Sequence, residues 1–445
     1  MNFMQNGCHV HFVGIGGISM SALANILKSN HVRVTGSDIT ESPMVKKLKA
    51  NGIEVDVPHQ VNLIQGADLV VYTAAIAKDN CELVYAKEQN IPCWERPVML
   101  GKIMAHYPIS VGVSGTHGKT TVTSMLSHIL LRADSDPTLL IGGELPDIDG
   151  NLRIGKSDYF VTEACEYVDS FLNFHPAFSL ILNIEEDHLD YFSGIEQIRQ
   201  SFRQYAEQTG QTVIANGEDE NISKALKGIS VPVITFGSGC NYEARDVQMG
   251  QATTYKLYYE GSEICTVTLP VPGMHNVNNS LAAIACAHLL GIELLDAASY
   301  LEDFSGAKRR FEYKGTKDGI EVYDDYAHHP TEIEATLKAA SQKQCNTFWC
   351  IFQPHTYTRT KALFDEFAET LSKADKLIIT DIYAAREPDT GLVHSSQLAE
   401  KIPGAVYLST FEEVNSYLKE NAKKGDLIMT VGAGTVYQIG EQFLK

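Results

Sequence analysis

The segment ISVGVSGTHGKTTVTSMLSHILL, residues 109–131, predicts a strand, a glycine-rich turn and a helix in succession. Ile109, Val111 and Val113 form a short apolar run before the turn. After the turn, apolar residues recur at the spacing of an amphipathic helix, at Val122, Met125, Leu126, Ile129 and Leu130. A helix that starts on Gly-Lys-Thr presents free backbone N–H groups and a positive dipole end, so the turn predicts a polyphosphate site.

The Gly-Lys-Thr of this turn predicts two contacts with a nucleoside triphosphate. Lys119 is placed to reach the β- and γ-phosphates, and the hydroxyl of Thr120 is placed to ligate Mg²⁺. The strict phosphate-loop pattern needs a glycine five residues before Gly118, where Val113 stands, so the spacing is a variant. The alternative is a turn that only joins a strand to a helix. The order of strand, turn and amphipathic helix favours the phosphate loop.

Length and composition indicate a globular protein of several domains. A chain of 445 residues predicts two to four domains, and 44% hydrophobic with 20% charged residues is ordinary for a soluble protein. The formal net charge of −19 argues against nucleic acid as the main partner. Nine scattered cysteines indicate reduced thiols, and we see no signal peptide or membrane-spanning stretch. We therefore expect a cytoplasmic protein without membrane insertion.

A second glycine-rich turn stands near the N-terminus, in GIGGISMSALANIL, between a predicted strand and a predicted helix. Its glycines are Gly14, Gly16 and Gly17. The next predicted strand leads to Ser37 and Asp38, and an acidic residue about 20 positions after such a turn is placed to accept from a ribose hydroxyl. The turn fits a nicotinamide cofactor, any other nucleoside diphosphate, or a tight turn without a ligand.

Acidic residues follow two predicted strands close to the phosphate loop in sequence. Glu163 ends one strand in TEACEYVDSF, where a carboxylate can hold Mg²⁺, with Glu166 and Asp169 as alternatives. The other strand runs into NIEEDHLDYF, where His188 is either a metal ligand or a satisfied loop residue. The same loop holds Asn183, Asp187 and Asp190. Since ligands gather at the carboxyl ends of parallel strands, these residues favour a metal site over a solvated acidic loop.

Polar residues in the rest of the chain also follow predicted strands or begin helices. The amides in VPGMHNVNNSLAA either cap a helix or bind a base, and Arg309 with Arg310 either clamps phosphate or forms a solvated hinge. Alternating strands and helices predict parallel sheets throughout. Clusters at three later strand ends predict one functional face directed at the other domains: Asp325, His328 and His329; His355 and Arg359; Asp381, Arg386 and Glu387.

These features together indicate ATP-driven ligation. A phosphate loop with carboxylates for Mg²⁺ means nucleoside triphosphate chemistry, and the N-terminal turn suggests a second phosphorylated ligand. A third region that supplies Arg and His suggests a closing lid. In such a reaction a carboxylate receives the phosphoryl group and an amine then attacks the acyl phosphate. Lys119 and Mg²⁺ would offset the repulsion between the carboxylate and the γ-phosphate.

The motifs taken together resemble the Mur ligase family over nearly the whole chain. They are, in order, GVSGTHGKTT, TEACE, NIEEDHLDYF, PGMHNVNNSLAA, GAKRRFE, YDDYAHHPTEI, FQPHTYTRT and DIYAAREPDTG. The resemblance implies an α/β protein of three domains with ATP and Mg²⁺ as cofactors. It implies a Rossmann-like UDP-sugar domain at 1–106, a P-loop-type ATP domain with a mostly parallel sheet at 107–308, and a Rossmann-like substrate domain at 309–445.

Within that family, the turn GIGGISMSALA makes the chain most similar to the member that acts in peptidoglycan precursor synthesis. That member joins L-alanine to the lactyl carboxylate of UDP-N-acetylmuramate through an acyl phosphate. A close rival is the recycling relative that ligates a tripeptide to the same sugar nucleotide. A nicotinamide oxidoreductase and a non-catalytic nucleotide-binding scaffold are rivals from other classes, and the phosphate loop argues against the oxidoreductase.

The resemblance also assigns roles to individual positions. The catalytic residues are Lys119, Glu163 and His188, and the metal ligands are Thr120, Glu163 and His188. The ATP-binding residues are Gly112, Ser114, Gly115, Thr116, His117, Gly118, Lys119, Thr120, Thr121, His275, Asn279 and Arg310. The UDP-sugar loop comprises Gly14, Gly16, Gly17, Ser37 and Asp38, and the C-terminal substrate-facing residues are Asp325, Tyr326, His328, His355 and Arg359. The chain departs from the family at Cys165 and Tyr167 of its E-A-C-E-Y, and at Thr356, where the family often has Arg.

Overall fold

A computed structural model describes residues 3–4, 7–189, 191–250, 252–385 and 387–445. Asp190 and Arg386, which the sequence places in polar clusters at strand ends, lie outside the described residues. Over the described ranges the chain forms three sheets in succession, of five, ten and six strands, with helices between the strands. The predicted α/β class is confirmed.

The first sheet is parallel and has the order β3-β2-β1-β4-β5. The strand order proceeds outward from β1, first through β2 and β3 on one side and then through β4 and β5 on the other. This order is typical of a doubly wound nucleotide-binding fold, as predicted. The elements are β1 His9–Val13, α1 Ile18–Ser29, β2 Arg33–Ser37, α2 Pro43–Ala50, β3 Glu54–Asp56, β4 Leu69–Tyr72, α3 Cys81–Glu88, β5 Cys93–Glu95 and α4 Arg96–Met104.

The second sheet begins with the quoted segment. Its elements are β6 Ile109–Ser114, α5 Lys119–Arg132, β7 Thr138–Leu145, β8 Gly150–Arg153, β9 Tyr159–Glu163, β10 Phe178–Ile181, α6 Ile195–Glu207, β11 Thr212–Asn216, α7 Glu220–Leu226, β12 Val233–Phe236, β13 Tyr242–Met249, β14 Thr253–Tyr259, β15 Ser262–Leu269, α8 Met274–Leu289 and α9 Leu294–Tyr300. The strand order is β15-β14-β13-β12-β11-β10-β6-β9-β7-β8. Pairing is antiparallel for β7 with β8 and along β13-β14-β15, and parallel elsewhere.

The third sheet has the order β16-β17-β21-β18-β19-β20, with only the edge pair β16-β17 antiparallel among the described strands. Its elements are β16 Glu312–Lys317, β17 Ile320–Asp325, α10 Pro330–Ser341, β18 Phe348–Phe352, α11 Tyr357–Ala362, α12 Phe364–Leu371, β19 Lys376–Ile379, α13 Ser395–Lys401, β20 Val406–Tyr407, α14 Phe411–Asn421, β21 Leu427–Val431 and α15 Tyr437–Leu444.

The helix α5 is more deeply buried than its amphipathic pattern predicts. The predicted stripe, which includes Val122 and Met125, is fully buried. Thr123, Ser124 and Ser127 on the other side are buried as well, because α5 packs against both α8 and the sheet. No helix in the described part of the chain is both long and apolar enough to cross a membrane. The buried position of α5 fixes the direction in which its N-terminus points.

Candidate active site

The phosphate loop leaves the second sheet between two strands that carry predicted site residues. The strand β6 lies between β10 and β9, and all three are parallel, so their carboxyl ends share one edge. Gly115 (φ 139°) and Gly118 (φ 84°) adopt left-handed conformations that favour glycine. Asn183, after β10, holds the loop through its side chain: it accepts from His117 N at 2.7 Å and donates to His117 O at 3.1 Å.

Two predicted loop residues point into the protein instead. Gly112 lies within β6, where its carbonyl accepts a hydrogen bond from the Tyr205 hydroxyl at 3.1 Å. The Ser114 hydroxyl is fully buried and donates to Leu180 O at 2.7 Å. Neither residue offers a side-chain group to a nucleotide, so both serve the packing behind the loop.

Lys119 supplies a largely buried cation to the loop. Its ammonium donates to the Gly115 carbonyl, to Thr116 O at 3.1 Å, and to the two carboxylate oxygens of Glu166 at 2.9 and 3.1 Å. Burial disfavours its charge, but the Glu166 carboxylate outweighs burial and raises the pKa of Lys119 above its ordinary value. The lysine is therefore charged at any physiological pH.

Glu163 and Thr120 each approach one of two adjacent glycines in the second half of β7. Gly142 N donates to Glu163 Oε1 at 2.8 Å, and a Cβ on Gly142 would lie 2.6 Å from the other carboxylate oxygen. A Cβ on Gly143 would lie 3.0 Å from the Thr120 side chain. The glycine pair thus lets the Glu163 carboxylate and the Thr120 methyl group approach the same short stretch of backbone.

His188 lies on the loop after β10, with its ring 4.4 Å from that of Tyr167. Burial lowers the pKa of His188 against the opposing charges of Asp187 and Glu166, so its ring is neutral and keeps a lone pair. A carboxylate and a hydroxyl are hard oxygen ligands of the kind that Mg²⁺ prefers. Glu163 and Thr120 therefore fit the metal that the family implies, with His188 as a third donor; these roles remain predictions.

A cavity of about 240 Å³ lies beside the phosphate loop, between the second and third sheets. Predicted nucleotide residues that line it are His117, Gly118, Thr121, His275, Asn279 and Arg310, joined by Asp325. Burial and the nearby Arg310 lower the pKa of His275 to about 4, so this ring is neutral. Burial raises the pKa of Asp325 to about 6 against the pull of Arg310. Asp325 thus lies with the nucleotide residues and not with His355 and Arg359.

A second cavity of about 690 Å³ lies on the other side of the loop that follows β10. Its lining includes Tyr167, Asp187, His188, His355, Thr356 and Arg359. Arg359 donates to Asp187 at 3.3 Å across the two domains, and it holds the pKa of Asp187 well below its ordinary range although burial opposes this. Thr356, at the position where the family often has Arg, precedes α11 with a φ of 65°. Among the described residues that line this cavity, Arg359 is the one with a cationic side chain.

An ion-pair cluster that the sequence did not predict joins the phosphate loop to α10. His117 lies 3.1 Å from Glu332 and 3.4 Å from Glu185, and Thr331 donates to Glu185 at 2.9 Å. Burial disfavours the charge of His117, but the two carboxylates prevail and raise its pKa to about 9. His117, Glu185 and the nearby His329 also lie close enough together to hold a metal ion, but here His117 pairs with the carboxylates of Glu332 and Glu185. The signal that could have found Glu332 is its place in the first turn of a helix that begins at Pro330.

The other predicted substrate-facing residues of the third sheet lie at its carboxyl edge. His328 is neutral, since burial lowers its pKa to about 4, and its ring lies 5.8 Å from that of His355. Burial also lowers the pKa of His355 to about 4, with His328 adding to the effect. Tyr326 packs its ring under the guanidinium of Arg310 at 5.2 Å. Tyr326 thus connects the substrate-facing group with the nucleotide cavity.

The N-terminal turn is held by its own acidic partner. Asp38 accepts from Gly16 N and from Ile39 N, both at 2.8 Å, so its carboxylate orders the turn. The Ser37 hydroxyl is buried and donates to Glu82 at 2.5 Å. Gly14 and Gly17 form the backbone of the turn beside α1. Ser37 therefore faces the interior, and the buried Glu82 behind it gave no signal in the sequence.

Three family models match the chain in succession. They are described as "Mur ligase family, catalytic domain" over residues 9–108, "Mur ligase middle domain" over 113–287, and "Mur ligase, glutamate ligase domain" over 309–434. Their order is the order of the three sheets.

Individual relatives match almost the whole chain. It is 48% identical to a UDP-N-acetylmuramate–L-alanine ligase of Caldanaerobacter subterraneus subsp. tengcongensis, with 98% of this chain and 97% of the relative covered. It is 50% identical to the enzyme of that name from Acetivibrio thermocellus, with 98% and 96% covered. Among solved structures, the UDP-N-acetylmuramate–alanine ligase of Thermotoga maritima matches with a TM-score of 0.81 at 30% identity, with 98% of each chain covered. A murein peptide ligase from Psychrobacter arcticus matches with a TM-score of 0.72 at 27% identity, again over 98% of each chain. The chain belongs to the Mur ligase family.

Proposed function

We propose that the chain is an ATP-dependent ligase that joins L-alanine to the lactyl carboxylate of UDP-N-acetylmuramate, a step of peptidoglycan precursor synthesis in the cytoplasm. The observation that carries this proposal is the position of the phosphate loop. It lies beside a cavity lined by the amide of Asn279, the neutral imidazole of His275 and the guanidinium of Arg310, and near a second cavity that contains Arg359. A nucleotide and an amino-acid carboxylate fit those two environments.

The chemistry follows from the charges around the loop. Lys119 is placed to stabilise the charge that develops on the γ-phosphate as a substrate carboxylate attacks it. Mg²⁺ held by Thr120, Glu163 and His188 would neutralise further phosphate charge. The resulting acyl phosphate reacts with the amine, while Arg359 orients the carboxylate of the amino acid. ADP and phosphate leave as products.

Identity supports L-alanine as the amino acid. The relatives at 48% and 50% identity are named UDP-N-acetylmuramate–L-alanine ligase, whereas the murein peptide ligase is 27% identical.

We further propose that the domains extend over 1–106, 107–308 and 309–445. The first would bind the UDP-sugar through the turn at Gly14, Gly16 and Gly17.

Phosphate release tests the proposal directly. The purified protein is supplied with ATP, Mg²⁺ and UDP-N-acetylmuramate, and then with L-alanine, glycine, L-glutamate or L-Ala-γ-D-Glu-diaminopimelate. Release that requires both UDP-N-acetylmuramate and L-alanine is the expected result. Release with the tripeptide alone would reassign the chain to the recycling reaction, and no release with any acceptor would indicate a nucleotide-binding scaffold.

A further inference from the structure

A second glutamate of the E-A-C-E-Y segment, Glu166, faces the phosphate-loop lysine. Its side chain is buried, with 4% exposed, and both carboxylate oxygens lie within 3.1 Å of Lys119 Nζ. Glu163 of the same segment points instead to Gly142 N. The two glutamates of one short loop therefore hold different partners.

The contact between Lys119 and Glu166 conflicts with bound ATP. Lys119 has three N–H donors, and here they are directed at Glu166 and at the carbonyls of Gly115 and Thr116. A phosphate-loop lysine must turn towards the β- and γ-phosphates when a triphosphate fills the loop. Glu166 would then lose this cationic partner at a buried position. A buried carboxylate in that state attracts another cation or a proton.

The amino-acid substrate can supply that cation. Tyr167, the residue after Glu166, lines the second cavity together with His188 and Arg359. An amino acid whose carboxylate binds Arg359 carries its ammonium nitrogen only about 2.5 Å from the carboxyl carbon, so the ammonium group would lie in the same cavity. Glu166 thus contacts the phosphate loop through Lys119, and its neighbour Tyr167 lines the cavity in which the amino acid would bind. An ammonium group is also the form in which L-alanine arrives at neutral pH, and it cannot attack until it loses a proton.

We propose that Glu166 binds the ammonium group of L-alanine after Lys119 has turned to the phosphates, and accepts its first proton. This inference rests on the proposed ligase function. The neutral nitrogen then forms the C–N bond at the acyl carbon, and the C–O bond to phosphate breaks with its electron pair on the departing phosphate. The nitrogen loses two protons in all: the first goes to Glu166 and then to solvent, and the second leaves on the phosphate.

The nucleophile hydroxylamine separates this role from a structural one. Hydroxylamine is mostly neutral at pH 7.5, so it attacks an acyl phosphate without a base and yields a hydroxamate. In Glu166→Gln we expect L-alanine-dependent turnover to fall at least about 100-fold, the scale of general base catalysis. Hydroxamate formation from ATP, UDP-N-acetylmuramate and hydroxylamine should stay within about threefold of wild type. Glu166→Asp should recover part of the L-alanine reaction because it restores a carboxylate.

The control is Glu207→Gln, which removes a carboxylate from an exposed pair with Arg203 on α6 of the same domain. It should leave both reactions unchanged. Equal losses of both reactions in Glu166→Gln would overturn the inference, because Glu166 would then be needed before the amine step. An unchanged L-alanine reaction would overturn it too. Wild-type protein that is inactive with both nucleophiles would instead overturn the proposed function, and this role with it.

Discussion

At the scale of single residues, Lys119 is the group on which the proposed phosphoryl transfer depends most. It is buried, charged and held by the phosphate loop itself. Replacing it with Ala removes the cation that stabilises charge on the γ-phosphate, and we expect turnover to fall on the order of 10³-fold. Phosphate release under saturating substrates measures this. The control is Lys224→Ala, which replaces an exposed lysine on α7 and should keep wild-type turnover. If Lys119→Ala also kept wild-type turnover, the phosphate-loop assignment would be refuted.

The proposed metal ligands give a second prediction at this scale. Glu163→Ala removes the carboxylate that lies against the glycine pair of β7, and His188→Ala removes a neutral imidazole. In each variant we expect half-maximal activity to need at least about tenfold more Mg²⁺. A Mg²⁺ titration of activity checks this, with the exposed Glu420→Ala as control. An unchanged titration curve in both variants would remove these residues from the metal site.

At the scale of elements, the end of β7 decides how closely Glu163 approaches the phosphate loop. A methyl group on Gly142 would collide with the Glu163 carboxylate, while one on Gly150 in β8 would meet a first neighbour only at 4.0 Å. Gly142→Ala should therefore raise the Mg²⁺ requirement roughly tenfold, because it displaces a ligand, and Gly150→Ala should not. Titrations of the two variants side by side test this, and matching curves would contradict the role of Gly142.

The contact between the phosphate loop and α10 predicts a pH dependence of stability. The folded-state pKa of His117 is raised from 6.5 to about 9 by Glu332 and Glu185 despite burial. The ion pairs therefore stabilise the protein fully below pH 6.5, and their contribution is lost as pH rises through 9. The loss amounts to at most about 3 kcal/mol. Thermal unfolding should show a larger fall in Tm between pH 7 and 9.5 for wild type than for His117→Asn; parallel curves would contradict this ion-pair contribution.

The spacing of apolar residues predicted many of the helices and strands, because that spacing lies within the residues that form each element. The strand and the helix on either side of the phosphate loop are confirmed. The strand β13 gave no clear signal, since YEARDVQM alternates poorly and one side of it is exposed. The sequence also does not show which way a side chain points. The hydroxyls of Ser114 and Ser37 were predicted to bind ligands, but they donate hydrogen bonds to Leu180 O and to Glu82 in the interior.

At the scale of the whole molecule, the C-terminal domain meets the ATP-binding domain through charged pairs at the phosphate loop. Arg359 contacts Asp187, Glu332 contacts His117, and Arg310 donates to Thr120 at 3.4 Å. The sequence predicts that these strand ends face other domains, because parallel strands share an edge. It cannot specify the pairs, since each one joins positions more than 150 residues apart. The arrangement places both cavities where residues of the second and third sheets meet.

The central claim is that the chain forms an amide between L-alanine and UDP-N-acetylmuramate at the expense of ATP. Mass spectrometry of the product, combined with a count of ADP formed, tests it most directly. We predict a product heavier than UDP-N-acetylmuramate by one alanine residue, formed in equal amount with ADP, and absent when ATP or L-alanine is left out. ADP formation without that product, or a product that carries a tripeptide instead, would contradict the account.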